Sequence, residues 1–150
     1  MKPFTDNKQV FYNKAQWYSV TINPSDKYQY HGKEDRIKKF RNFMYETFLQ
    51  LDSYKIQYKF NIELSEPKEI KPGTTGSRLH LHGRIMFTCN YSIMQFLLHV
   101  QYAWSRIAYV DIDTIEDIEI WDTYCTKQQH IFKGIKTELS NAYPSDSNTA

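Results

Sequence analysis

The sequence predicts an α+β domain of ferredoxin-like type, an antiparallel sheet with helices mainly on one face. Two stretches alternate apolar and polar residues with period 2 (Tyr54–Leu64 and Arg78–Phe87). Two others repeat apolar residues every three to four positions (Glu34–Leu51 and Tyr91–Trp104). With a strand before and another after them, the elements read β-α-β-β-α-β, an order that closes a sheet with helices packed against it. The chain has 150 residues, 41% hydrophobic and 24% charged, which suits one folded core rather than a disordered polymer. One domain is expected over residues 1–139, and residues 140–150 (SNAYPSDSNTA) read as a polar, proline-broken, disordered tail.

The first strand is expected at Trp17–Asn23, ended by Pro24 and Ser25. In the first helix Ile37, Phe40, Met44, Phe48 and Leu51 share one side. In the next strand Tyr54, Ile56, Tyr58, Phe60 and Ile62 alternate with Lys55, Gln57, Lys59, Asn61 and Glu63. A loop, EPKEIKPGTTGS, leads to the strand Arg78–Phe87, making a hairpin with a long tip. There Leu79, Leu81, Ile85 and Phe87 should face the core, and His80, His82 and Arg84 should face away. Asn90 is expected to cap the second helix, whose Ile93, Phe96, Leu97, Val100 and Trp104 line one side. A short strand at Arg106–Val110, another at Thr114–Ile120 and a helix at Asp122–Phe132 complete the reading.

Composition excludes several classes. Two cysteines, Cys89 and Cys125, form neither a disulfide framework nor a Cys-rich zinc site, so a reducing compartment is expected. No apolar run reaches membrane-spanning length, the N-terminus lacks a signal-peptide stretch, and no membrane partner is expected. There is no GxxxxGK[ST] loop, hence no ATPase. The net charge of +2 is uninformative, but its distribution is not: residues 1–60 hold 11 Lys/Arg against 6 Asp/Glu, while residues 111–122 hold six acids and no base. Such asymmetry can steer a polyanion to one face.

The chemistry concentrates at two places. His80 and His82, two apart on a strand, present imidazoles on one face, and Glu63 lies on the polar face of the partner strand. Two imidazoles and a carboxylate suit a divalent ion acting on a phosphate oxygen; they equally suit a non-haem iron site, and zinc remains open. The second place is Tyr124-Cys125-Thr126-Lys127. On a helix, residues three apart share a face, so Lys127 would stand beside the Tyr124 hydroxyl. A phenol of pKa about 10 is a poor nucleophile at neutral pH, and a nearby ammonium favours the phenolate. Tyr30-His31-Gly32-Lys33 repeats the spacing, but Gly32 disfavours a helix there. Of the other histidines, His99 reads as structural, His130 as a solvated helix position and His31 as a turn residue.

Val20–Pro24 (VTINP), His80-Leu81-His82 and Tyr124-Cys125-Thr126-Lys127, in that order, resemble the three motifs of HUH-type replication initiators (Rep proteins) of circular single-stranded DNA viruses and related plasmids. The resemblance spans roughly residues 15–132. It implies the HUH endonuclease fold and a sequence-specific nickase that cuts single-stranded origin DNA, commonly at a hairpin. Mn²⁺ or Mg²⁺ would be held by Glu63, His80 and His82, and Tyr124 would form a 5′-phosphotyrosine with help from Lys127. The free 3′-OH would prime rolling-circle replication, and strands could be rejoined. Glu63-Leu64-Ser65-Glu66 is similar to the Glu-Leu-x-Glu segment of some members, whose first Glu is the ligand. Thr21, Asn23, Lys59 and Arg84 are the expected DNA contacts. The loop from Glu66 to Arg78 is longer than is common in the family. The helicase domain of full-length viral members is absent from the sequence, so a separate or host helicase is implied. The compartment would be the host nucleus for a eukaryotic virus and otherwise the cytoplasm. A single-tyrosine HUH transposase would share the chemistry, and a non-enzymatic single-strand-binding sheet would share the fold.

Overall fold

The computed structural model describes residues 11–65, 77–132 and 134–141. Its sheet has five antiparallel strands: β1 (Trp17–Pro24), β2 (Ile56–Leu64), β3 (Leu79–Phe87), β4 (Ala108–Thr114) and β5 (Glu138–Ser140), in the spatial order β4-β1-β3-β2-β5. The helices are α1 (Arg36–Ser53), α2 (Asn90–Tyr102) and α3 (Ile118–Cys125). The α+β, ferredoxin-like expectation holds. The first six elements, β1-α1-β2-β3-α2-β4, come in the expected order, and β5 is an addition at the β2 edge.

Period 2 decides the two central faces. On β3, Leu79, Leu81, Ile85 and Phe87 are all fully buried, packed with Phe40, Met44, Phe48 and Leu51 of α1 and Phe96 and Val100 of α2. Each such side chain removed from water contributes roughly 1.5–3 kcal/mol. Gly83 lies in the same strand, and a Cβ there would meet the Lys59 carbonyl at 2.3 Å and the Phe60 ring at 2.5 Å. Only glycine lets β2 close onto β3 at this point, between the two strands that carry the candidate ligands.

Several boundaries differ from expectation. β2 begins at Ile56 rather than Tyr54, because Lys55 takes a left-handed φ of 63° in the tight turn after α1. The cap of α2 is Cys89, not Asn90: Ser92 Oγ receives the Cys89 N–H at 3.2 Å and Asn90 is the first helical residue. β4 runs on to Thr114, and the further strand expected at Thr114–Ile120 does not form. Alternating Ile118, Glu119 and Ile120 imitate a strand, but the Asp117 carboxylate accepts the Ile120 N–H at 3.1 Å and starts α3 instead. The helix expected at Asp122–Phe132 is therefore α3, ending at Cys125, followed by a turn and a short 3-10 segment at Gln129–Ile131. The last helical bond is Thr126 N–H to the Asp122 carbonyl at 3.1 Å, and Lys127 N–H then turns to the Tyr124 carbonyl at 3.4 Å instead of continuing the helix.

The start of the expected tail is structured. Ser140 belongs to β5, and Asn141 clamps the edge: its Oδ1 accepts the Tyr58 N–H at 2.9 Å and its Nδ2 donates to the Ile56 carbonyl at 2.8 Å. Residues 142–150 lie outside the described residues, as does Glu66. No helix among the described residues is long and apolar enough to cross a membrane.

Candidate metal centre and its tyrosine

Strand register brings the ligand residues together. Glu63 is directly opposite His80, and His82 is opposite both Asn61 and Thr21. All point to the face away from α1 and α2. That face is not left open: α3 and the turn after it lie across β2 and β3, which is why Glu63 is only 1% exposed.

Both imidazoles aim Nε2 at one carboxylate oxygen, Glu63 Oε1, at 3.4 Å from His80 and 3.3 Å from His82. Donor atoms about 2.1 Å from a common ion, at right or tetrahedral angles, stand roughly 3.0–3.4 Å apart. Hydroxyls set the ring orientations. Thr21 Oγ1 is 3.0 Å from His82 Nδ1, and Ser65 Oγ is 3.2 Å from His80 Nδ1. A hydroxyl accepting Nδ1–H leaves the Nε2 lone pair free to ligate. The buried Glu63, His80 and His82 group, with ligand atoms all within 4.8 Å of one another, can hold a metal ion.

Electrostatics favour the ligating protonation states. Burial alone would raise the Glu63 pKa, but hydrogen bonds from His80 and Lys127, with the charges of His82 and Lys127, outweigh it and hold it below the ordinary carboxylate value. His82 is pushed down to about 4, first by burial and then by the neighbouring His80, so it is neutral at pH 7.

The tyrosine motif meets this centre through α3. The Tyr124 ring lies edge-on to the His82 ring, centroids 5.2 Å apart, and Tyr124 is 46% exposed. Trp121, which the sequence reading missed, stacks on Tyr124 at 5.4 Å and 21° and is pinned by its indole N–H to the Gly83 carbonyl at 2.8 Å. Its one sequence signal is the spacing of three to Tyr124. Lys127 lies past the helix end rather than on it. A turn, Lys127 N–H to the Tyr124 carbonyl at 3.4 Å, still keeps the pair together, but the ammonium is over the Tyr124 ring, 3.7 Å from its centroid, rather than beside the hydroxyl. The same ammonium donates to both Glu63 oxygens at 2.8 and 2.7 Å. Gln128 locks the turn to β2, accepting the Leu64 N–H at 2.7 Å and donating to the Leu64 carbonyl at 3.0 Å. No pattern in the sequence marked that clamp.

The other singled-out residues divide. Thr21 is spent on His82. Arg84 forms a two-pronged pair with Asp122, at 2.8 and 3.1 Å, and lies over the Trp17 ring. Asn23 is exposed, and Lys59 is half-buried on the same face. Tyr30 is elsewhere, with a left-handed φ of 55°, packed near Phe43 on the α1 side, and Gly32 beside it also has a positive φ. Cys125 is buried and its thiol is pushed up to about 12, by burial and then by Glu63 and Asp122, so it is no nucleophile. Comparison of the chain with known protein families, characterised proteins and solved structures gives no match.

Proposed function

We propose that this protein is a metal-dependent endonuclease that nicks single-stranded origin DNA with Tyr124 and becomes covalently joined to the 5′ phosphate. The observation that carries the reading is the contact of an exposed tyrosine with His82 of a metal-competent cluster, with one lysine bridging the tyrosine and Glu63. A divalent ion on Glu63, His80 and His82, Mn²⁺ or Mg²⁺ in this proposal, supplies Lewis-acid polarisation of the scissile phosphate. Trp121 and His82 fix the Tyr124 ring, and Lys127 supplies positive charge for the phenolate and the phosphoryl group. The Tyr124 phenol loses its proton to water and its oxygen bonds to phosphorus. The P–O3′ bond breaks, and the 3′ oxygen takes up a proton. One ester replaces another, so the step can run backwards to rejoin strands.

The test is incubation with hairpin-bearing single strands and Mn²⁺, followed by a denaturing protein gel. Wild type and Tyr30→Phe should give a slow-migrating adduct and a nicked strand, and Tyr124→Phe should give neither. A full yield of adduct from Tyr124→Phe overturns the assignment.

A further inference from the structure

A cavity of about 530 Å³ opens at the start of α1, on a part of the molecule the tyrosine chemistry does not use. Its wall carries Arg36, Lys38, Arg41 and Lys136, with Asp35 the one acid among its described lining residues. The arginines are held by neutral acceptors: Arg36 donates to the Gln29 and Ser77 carbonyls, each at 2.8 Å, and Arg41 to the Glu138 carbonyl at 3.0 Å. Those bonds fix the guanidiniums without cancelling their charge, and Arg41 Nε is buried without a partner among the described residues. Lys38 and Lys136 are exposed.

The helix adds to the imbalance. The first turn of α1 contains no acid, its N-cap Asp35 makes no side-chain cap bond, and Arg36, Lys38 and Lys39 stand there instead. Cations at the positive end of a helix dipole are unfavourable unless an anion joins them. The concave shape, the fixed arginines and the two exposed lysines together describe a receptor for a small polyvalent anion.

From this geometry we infer that the cavity formed by Arg36, Lys38, Arg41 and Lys136 binds a phosphate group, supplied by the backbone of a single-stranded nucleic acid. Leu64, which also lines it, is the last residue of β2 and points to the face opposite Glu63. A strand held at the metal centre would reach this anchor by passing round that end of β2, a placement that rests on the proposed function; the phosphate site itself does not.

The experiment measures binding of a fluorescent 15-mer oligo(dT) in EDTA, with no hairpin and no cutting, as a function of salt. In parallel, inorganic phosphate and dTMP are titrated while backbone amide shifts are recorded. The double variant Lys38→Gln/Lys136→Gln changes exposed side chains only. It should weaken oligo(dT) binding roughly tenfold and flatten the salt slope by about 1.4, near 0.7 per lost phosphate contact. The matched control is Lys14→Gln/Lys55→Gln, at the far end of the sheet, where Lys14 bridges Phe87 and Phe87 pairs with Ile56. It should change binding less than threefold. Phosphate-induced shifts around residues 36–41 that vanish in the cavity variant, with oligo(dT) binding unchanged, would keep the phosphate site and assign it to free phosphate. Equal losses in both double variants, or no response to any of the three probes at the cavity, would overturn the inference. Failure to nick DNA would not bear on it.

Discussion

Two hydroxyls aim the two histidines of the centre, and neither hydroxyl needs to touch the ion. Thr21→Val keeps the shape of the side chain and removes the acceptor for His82 Nδ1, so the ring loses its fixed tautomer. Mn²⁺ affinity, measured by isothermal titration calorimetry, should fall about tenfold, in the range usual for such supporting partners, with little change in thermal stability. An unchanged affinity would mean that the hydroxyl does not orient the ligand. Titration adds a second residue-scale expectation. His99, buried between Tyr54 and Trp104, is lowered by burial to about 4 from 6.5, and His82 is lowered to about 4 as well. The unfolded chain then binds protons that the folded chain refuses. Stability should be complete above about pH 6.5 and decline as pH falls towards 4, by up to about 3 kcal/mol per histidine. His99→Leu should remove about half of that decline in urea melts of the metal-free protein. An identical slope in the variant would show that His99 is not the group responsible.

At the scale of elements, what the sequence disclosed depended on how local the signal was. Alternation in β3 is carried by nine consecutive residues, so the outward aim of His80 and His82 could be read directly. Parity also assigned Glu63, and the register then set it opposite His80. Residues 140 and 141 were placed in a tail because β5 has three residues, too few for a period, and is held by distant partners. The same is true of the Gln128 clamp, which joins residues 64 positions apart. The α3 boundary was missed because two isoleucines flanking a glutamate fit a strand until the Asp117 cap is weighed. The Asn141 clamp gives a direct test. Asn141→Ala should lower stability by about 2 kcal/mol, near 1 kcal/mol for each of its two side-chain bonds to the β2 backbone. Equal midpoints in chemical denaturation would show that the clamp adds nothing.

Across the whole molecule, the sheet separates tasks by face. The side under α1 and α2 is a closed aromatic and aliphatic core. The other carries the ligands, with α3 laid over them to deliver Tyr124. The division also explains why two Tyr-x-x-Lys segments have different fates. The one at Tyr30 is a turn against the α1 side, and the one at Tyr124 is carried to the histidines by a capped helix. The most direct measurement of the proposed chemistry is therefore where nucleotide becomes attached. The protein would be incubated with a cleavable hairpin-bearing strand and Mn²⁺, digested with nuclease and protease, and its peptides mapped by mass spectrometry. The account predicts a nucleotide phosphate on the peptide containing Tyr124 and an unmodified Tyr30 peptide. Nucleotide on Tyr30, or cleaved DNA with Tyr124 unmodified throughout the time course, would contradict it.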